Sequence, residues 1–152
     1  MSTESGKHIF RHSLEQGKLL KDRDAFLSQA AAGLRVVHVG CVDWPLSEQR
    51  LATGDLLHSK LLASAEAVLG IDVDQDGMET LERVLGGSYV NVDLTRPDAE
   101  FDAVKDFKPD IVIAGDVIEH VRSAQALVEG LAAVVSGTPA KVIITTPNSL
   151  AF

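Results

Sequence analysis

Five short runs rich in β-branched residues, separated by segments with helical periodicity, constrain the fold of this chain more than any other feature. Turn residues or acids bound each run, and the runs cover residues 36–39, 68–71, 89–92, 111–113 and 142–146. Short apolar runs of this length are typical of strands that are buried on both faces. Strands that alternate with helices form right-handed βαβ units. The sequence therefore predicts an α/β fold, a three-layer α/β/α sandwich around a mostly parallel sheet.

Helical patterns fill the segments between these runs. The clearest is an apolar stripe that follows the N-cap candidate Ser123 and predicts a helix over about 123–135. Weaker patterns follow the cap candidate Asp55, precede Gly86, and span residues 101–107. An earlier helical pattern covers residues 14–32 and stops at Gly33. We therefore expect an N-terminal helical segment, residues 1–33, and one further domain, residues 34–152.

The composition excludes several classes of protein. A chain of 152 residues with 45% hydrophobic residues is sufficient for one core. The formal net charge of -8 disfavours nucleic acid as a partner, and the basic residues Lys18, Lys21 and Arg23 are expected on a solvated helix face. No apolar run is long enough to predict membrane insertion, and the polar N-terminus lacks a secretory pattern. Cys41 is the single cysteine, so we expect no internal disulfide and a cytoplasmic location.

Polar groups and glycines concentrate where the predicted strands end. Ligands of an open parallel sheet bind at the carboxyl ends of its strands. Gly40 lets backbone approach a ligand closely. Asp72 is placed to accept hydrogen bonds from two ribose hydroxyls, or else is a turn or cap residue. Asp93 is placed at the end of the third strand, where it could accept a hydrogen bond from an adenine amine; the alternative is that it is a turn residue. Val73 and Leu94 offer apolar faces to the adenine base.

Five segments in fixed order resemble the class I S-adenosylmethionine-dependent methyltransferases. They are residues 35–43 (RVVHVGCVD), 68–73 (VLGIDV), 89–93 (YVNVD), 110–121 (DIVIAGDVIEHV) and 141–148 (KVIITTPN). The resemblance implies a Rossmann-like sheet of order 3-2-1-4-5 and S-adenosylmethionine as cofactor. The residues it implies for cofactor binding are Gly40, Cys41, Asp43, Asp72, Val73, Asp93, Leu94, Gly115 and Asp116.

The first segment also departs from the family. An acid is usual where this chain has His38, and glycines are usual where it has Val42 and Trp44. Asp43 is a candidate partner for the cofactor's ammonium group in compensation. The run from Cys41 to Pro45, with the later Leu57-His58, is similar to a subgroup of bacterial glycan-associated methyltransferases.

The sequence ends just after the fifth predicted strand, without the final antiparallel strand pair that this family normally has. Either the polypeptide is a fragment, or an exposed strand edge is covered by the N-terminal segment or by a second subunit. We therefore expect a homodimer.

Catalytic groups follow the fourth strand. Methyl transfer from a sulfonium needs in-line approach and, for some acceptors, a base. His120 is the candidate base, oriented by Glu119 or Asp116, although Glu119 and His120 could instead simply begin a helix. Asp116, Glu119 and His120 supply at most three ligands, so no metal is expected.

The other reactive side chains are expected to have structural or ligand-stacking roles rather than catalytic ones. His38 is expected to be a satisfied buried histidine, and His58 is expected to pack or to lie at the surface. Cys41 is assigned no nucleophilic role, since methyl transfer needs no thiolate. Trp44 either stacks on a ligand or packs under the turn at Pro45.

Two functions remain open at this point. The first is methyl transfer to an oxygen or nitrogen of a small-molecule or glycan acceptor. The second is a non-catalytic cofactor-binding or scaffold domain, because a fold does not by itself confer activity. A nicotinamide-dependent oxidoreductase is disfavoured because the Gly-x-Gly-x-x-Gly pattern is missing after the first strand.

Overall fold

The computed structural model describes residues 21–147, and its five strands form one parallel sheet. The strands are β1 (Arg35–Val39), β2 (Ala67–Asp72), β3 (Ser88–Asn91), β4 (Ile111–Gly115) and β5 (Lys141–Thr145). Their order is β3-β2-β1-β4-β5, and every neighbouring pair is parallel. Both the predicted α/β class and the order that the resemblance implied are confirmed.

Within residues 21–147, six helices connect or precede the strands. They are α1 (Arg23–Ala31), α2 (Ser47–Thr53), α3 (Leu57–Ser64), α4 (Gln75–Leu85), α5 (Asp102–Asp106) and α6 (Ala124–Val135). Ser123 caps α6 as predicted, because its side chain accepts a hydrogen bond from the Ala126 amide. Asp55 does not cap α3, whose N-cap residue is Leu56. Helix α2 was not expected. None of its residues is buried, so its sequence carries no apolar stripe that would have predicted it.

Helix α1 is shorter than the periodicity over residues 14–32 predicted. It begins after Asp22, whose extended backbone and side-chain hydrogen bond to the Ala25 amide mark the helix start. Residues 14–20 of the predicted helix lie outside the described residues. Within residues 21–147, no helix combines the length and the apolar character that crossing a membrane requires.

Alternate residues of the strands supply two hydrophobic cores, one on each face of the sheet. On one face, Val37, Val39 and Val112 pack with Leu127 and Leu131 of α6. The opposite face packs against α1 and α3 through residues that include Val36, Ile111, Ile113, Leu27 and Leu61. Because both faces of β1 are buried, its polar residue His38 is also buried, at 2% exposure. The carboxyl ends of the central strands are left free to form a site.

Candidate functional site

A cleft of about 410 Å³ lies at the carboxyl ends of the central strands. Ten of the eleven candidate site residues from the sequence line it, and Glu119 is the exception. The ten are Gly40, Cys41, Asp43, Asp72, Val73, Asp93, Leu94, Gly115, Asp116 and His120. A volume of this size falls in the range of about 300–1,000 Å³ that is typical of small-molecule sites. The topology therefore brings these residues to one place, while their individual roles remain predictions.

Gly40 makes the tight turn that ends β1. Its φ of +73° lies in the left-handed region, and its amide donates a hydrogen bond of 2.8 Å to the Ile71 carbonyl of β2. A Cβ at this position would overlap the side chain of Val117. Glycine is therefore required here by backbone conformation and by space.

Asp72 holds the loops after β1 and β2 together. One carboxylate oxygen accepts a hydrogen bond of 2.8 Å from the Val42 amide, and the other accepts from the Val73 and Asp74 amides at 2.8 and 3.1 Å. Burial raises the pKa of Asp72, while the three amides act in the opposite direction. A carboxylate has about four acceptor positions. Three are therefore in use, and about one remains for a ligand.

Asp93 lies two residues beyond the end of β3, so the expectation that it ends this strand is wrong. One of its oxygens accepts hydrogen bonds from the Thr95 amide at 2.9 Å and from the Thr95 hydroxyl at 2.6 Å. The turn interpretation of Asp93 therefore has direct structural support. Nearby, Leu94 is buried whereas Val73 is 65% exposed.

The loop after β1 carries an ion pair and an exposed indole. Asp43 forms a salt bridge with Arg50 of α2, so a ligand's ammonium group would compete with Arg50 for this carboxylate. Trp44 is 78% exposed while lining the cleft, so the suggestion that it packs under the turn at Pro45 is wrong. Its free ring faces are available for stacking.

Asp116, immediately after β4, is held from two directions. Its φ of +55° is unusual for a residue other than glycine. Its amide donates to the Thr145 carbonyl at 3.1 Å, and its carboxylate accepts from the Thr145 hydroxyl at 3.0 Å. Its other carboxylate oxygen forms an ion pair with Arg23, which also pairs with Asp24. Asp116 therefore joins β4, β5 and α1 at the edge of the cleft.

Glu119 and His120 lie in a turn between β4 and α6. The His120 amide donates to the Val117 carbonyl at 2.9 Å, and α6 begins only at Ala124. The alternative that this pair begins a helix is therefore wrong. Both side chains are exposed. Among residues 21–147, no group of three His, Cys, Asp or Glu side chains is arranged to hold a metal ion.

The buried histidines of β1 and α3 contact each other directly. The Nδ1 atoms of His38 and His58 lie 3.0 Å apart, and Nε2 of His58 lies 3.1 Å from the Tyr89 hydroxyl. We call His38, His58 and Tyr89 the imidazole network. Nε2 of His38 has no hydrogen-bond partner among the described residues. The expectation of a fully satisfied His38 is therefore wrong at one ring nitrogen.

Burial sets the protonation state of these groups. It lowers the pKa of His38 well below the usual 6.5, with a smaller contribution from His58 in the same direction. It also lowers the pKa of His58 to about 4. For Cys41, burial raises the pKa of the thiol, which disfavours a thiolate. The network is therefore neutral near pH 7, and the cleft offers no cysteine nucleophile.

We expect stability to fall as the pH is lowered from 8 to 5. Between 6.5 and about 4, the unfolded chain binds a proton at His58 that the folded chain excludes, so acid favours unfolding. At pH 5, His58 alone should lower the free energy of unfolding by about 2 kcal/mol relative to pH 8. Urea unfolding of the wild type and of His58→Gln measures this difference. If the free energy of unfolding of the two proteins depended on pH in the same way, His58 would not be the group responsible, since glutamine does not titrate.

The sequence of this chain is similar to that of a known O-methyltransferase over part of its length. No protein-family model matches the chain. The ubiquinone biosynthesis O-methyltransferase of Bartonella bacilliformis is 27% identical over 111 residues, which are 73% of this chain. The matched chain spans only 40% of that relative's length.

Solved structures extend the comparison to the fold. An amino pentose methyltransferase of calicheamicin biosynthesis from Micromonospora echinaspora, solved with S-adenosylmethionine bound, superimposes with a TM-score of 0.57 at 14% identity. The match covers 94% of this chain and 59% of that one. This chain has the class I methyltransferase fold. A Rhodobacter sphaeroides structure provisionally named a zinc-dependent alcohol dehydrogenase also superimposes, with a TM-score of 0.55, 19% identity, and coverage of 76% of this chain and 42% of that one.

Two features of this methyltransferase-fold chain were missed by the sequence analysis. Arg23 was expected on a solvated helix face, but its side chain is two-thirds buried, at 32% exposure, and lines the cleft. Its contact with Asp116 joins residues 93 positions apart, which no local pattern reveals. The imidazole network was also missed. A histidine within a buried strand was its only signal, and the partners of that histidine come from other elements.

Proposed function

We propose that this chain catalyses S-adenosylmethionine-dependent methyl transfer to an oxygen or nitrogen of a small-molecule acceptor, a sugar or lipid-linked glycan among them. The observation that carries the proposal is the cleft, where ten candidate residues from four separate segments lie at the carboxyl ends of the strands. The named methyltransferases of similar sequence or fold support the same reaction. The acidic net charge of the chain favours such acceptors over nucleic acid.

In this proposal the cofactor's nucleoside lies at the β2 and β3 side of the cleft. The free acceptor position of Asp72 receives a ribose hydroxyl, and Asp93 receives the adenine amine through its remaining oxygen. Val73 and Leu94 contact the base. Backbone at Gly40, Cys41 and Gly115 passes beneath the ligand, where larger residues would obstruct it.

The amino-acid end of the cofactor then lies at the β1 and β4 side. Arg23 supplies positive charge for its carboxylate, while Asp43 and Asp116 supply negative charge for its ammonium group. When bound, the cofactor supplies the methyl group as an electrophile, so the protein needs only to position the acceptor and exclude water.

His120 is the proposed base for a hydroxyl acceptor, with Glu119 assisting from the same turn. Asp116 is engaged by Arg23 and Thr145, which leaves Glu119 as the freer carboxylate. In His120→Gln, affinity for S-adenosylhomocysteine should be unchanged, while methyl transfer should fall about 10²–10⁴-fold. Transfer of labelled methyl from S-adenosylmethionine to a panel of sugars and phenols measures this. Equal transfer by the variant and the wild type would remove His120 from the mechanism.

A specific observation also favours the second candidate, a non-catalytic cofactor-binding domain. Val42 and Trp44 stand at positions where the resembled family has glycine, and Asp43 already has Arg50 as a partner. A loop of this kind could bind a nucleoside and yet hold its methyl group poorly. Cofactor binding without methyl transfer to any acceptor would favour this alternative.

Calorimetric titration with S-adenosylmethionine, S-adenosylhomocysteine and NAD tests the proposed cofactor. At a ligand concentration about 100 times Kd, binding should stabilise the fold by about 2.7 kcal/mol, which thermal unfolding detects. We expect stabilisation by the two adenosyl ligands and none by NAD. Stabilisation by NAD alone would overturn the proposal.

We further propose a cytoplasmic location and assembly as a homodimer. The single cysteine is a buried free thiol, which suits a reducing compartment. Among the described strands, β5 lies at one edge of the sheet, its Val142 and Ile144 are 36% and 38% exposed, and apolar edges favour association. Sedimentation velocity and cell fractionation test these two points. A monomer at high concentration would refute the dimer.

A further inference from the structure

The hydrogen bonds of the imidazole network fix the tautomer of each ring. The Tyr89 hydroxyl donates its single proton to the Gly86 carbonyl at 3.0 Å, because a carbonyl oxygen only accepts. Nε2 of His58 must then donate to the Tyr89 oxygen. A neutral imidazole carries one N–H, so Nδ1 of His58 is an acceptor. Nδ1 of His38 must therefore be the donor across the 3.0 Å contact between the rings.

The consequence lies at the other nitrogen of His38. With its proton on Nδ1, Nε2 carries a lone pair and no hydrogen. His38 is 98% buried, it lines the cleft, and Nε2 has no partner among the described residues. Buried polar atoms without partners are rare and call for an explanation. A ligand in the cleft that offers an N–H or O–H group would supply the missing partner.

The sheet has local features that make this network possible. His38, Gly70 and Tyr89 are cross-strand neighbours on β1, β2 and β3. A Cβ on Gly70 would lie 2.6 Å from the Tyr89 ring and 2.9 Å from the Cys41 sulfur. The absence of a side chain at Gly70 therefore gives the Tyr89 ring the space from which its hydroxyl reaches His58.

We propose that Nε2 of His38 accepts a hydrogen bond from the α-ammonium group of the bound cofactor, and that His58 and Tyr89 are positioning residues that keep this nitrogen unprotonated. The inference rests on the proposed function, which puts the nucleoside at Asp72 and the amino-acid end at β1 and β4. His38 lies on β1, which is between β2, the strand that ends at Asp72, and β4. Burial lowers the pKa of His38, so its ring stays neutral and accepts rather than repels an ammonium group.

The charges around His38 agree with an amino-acid ligand. Arg23 and Asp24 both act electrostatically on the His38 ring, Arg23 lowering and Asp24 raising its pKa. A zwitterion needs a cation for its carboxylate and acceptors for its ammonium group. Arg23 supplies the first, and Nε2 of His38 is among the second. Neither group is needed by a ligand that ends at the thioether.

Nitrogen-15 NMR of histidine-labelled protein measures the tautomers directly. In the wild type we expect His38 protonated at Nδ1 only and His58 protonated at Nε2 only. S-adenosylhomocysteine should shift the Nε2 resonance of His38. 5′-Methylthioadenosine, which shares the nucleoside and thioether but lacks the amino-acid end, should leave that resonance unchanged. A protonated Nε2 on His38, or equal shifts with both ligands, would overturn the proposal.

Tyr89→Phe tests the positioning residues, because Tyr89 itself does not line the cleft. Without the hydroxyl, His58 loses the acceptor for Nε2–H and can carry its proton on Nδ1, which forces the His38 proton onto Nε2. Affinity for S-adenosylhomocysteine should then fall by about tenfold or more, with 5′-methylthioadenosine bound as in the wild type. A merely structural disturbance would weaken both ligands alike, and that result would refute the positioning role.

Ser59→Ala is the matched control for this variant. It removes a hydroxyl from α3 next to His58, where Ser59 donates to the Leu56 carbonyl and takes no part in the network. Both ligands should bind Ser59→Ala as they bind the wild type. If the wild type bound neither ligand, the proposed function itself would fail. If the wild type bound both ligands and Tyr89→Phe did not change the ratio of their affinities, only the present inference would fail.

Discussion

Replacement of Asp72 by alanine should lower the free energy of unfolding by about 4 kcal/mol, since three backbone amides lose their acceptor. The loops after β1 and β2 would lose their common partner, so the wall of the cleft should loosen as well. Affinity for S-adenosylhomocysteine should fall at least about 100-fold, because the proposed ribose contact disappears together with the loop geometry. Urea unfolding and calorimetry measure the two effects separately.

Asp76→Ala serves as the control for that substitution. Asp76 is an exposed acid in the first turn of α4, four residues from Asp72. The Asp76→Ala substitution removes the same charge as Asp72→Ala. We expect it to change the free energy of unfolding by no more than about 1 kcal/mol and to leave the ligand affinity unchanged. Equal behaviour of the two variants would show that charge alone, rather than the amide contacts of Asp72, governs the result.

Gly130→Ala should destabilise the protein by about 3 kcal/mol, although alanine is the better helix former. Gly130 is buried in α6, and a Cβ there would overlap the backbone carbonyl of Leu94. Backbone atoms cannot rotate away as a side chain can, so α6 or the segment after β3 must move. The melting temperature should fall by about 9 °C for a chain of this length.

Val128→Ala is the comparison within the same helix. Val128 is 46% exposed, so its truncation removes little packing and should change stability by less than about 1 kcal/mol. Because Leu94 lines the cleft, Gly130→Ala should also weaken nucleoside binding while Val128→Ala should not. A Gly130→Ala protein as stable as the wild type would mean that α6 does not rest on the Leu94 backbone.

The parts of the fold that sequence could predict are those with local signals. Strands β1, β2 and β4 were recognisable because central parallel strands are short and apolar. The runs at β3 and β5 were recognisable as well, but the expectation that all five strands are buried is wrong for these two, which lie at the edges of the described sheet and are partly exposed. Helix α6 was recognisable because its apolar stripe and the Ser123 cap lie within a single segment. The cleft position followed from the rule that ligands bind at the carboxyl ends of such strands.

What the sequence could not predict depends on contacts between distant segments. The Asp93 side chain could equally face a ligand or its own turn, and only coordinates show its bonds to Thr95. Arg23 meets Asp116 because α1 packs beside β4, a placement that periodicity does not determine. His38 has the same apolar neighbours as an ordinary buried residue, so its missing partner is visible only once His58 and Tyr89 are in place.

The row formed by His38, Gly70 and Tyr89 also restricts which substitutions this protein can accept during evolution. A side chain at Gly70 would displace the Tyr89 ring, and loss of Tyr89 would leave His58 without its acceptor. A single substitution at any of these positions therefore disturbs the other two. The three positions should therefore vary together among relatives rather than independently.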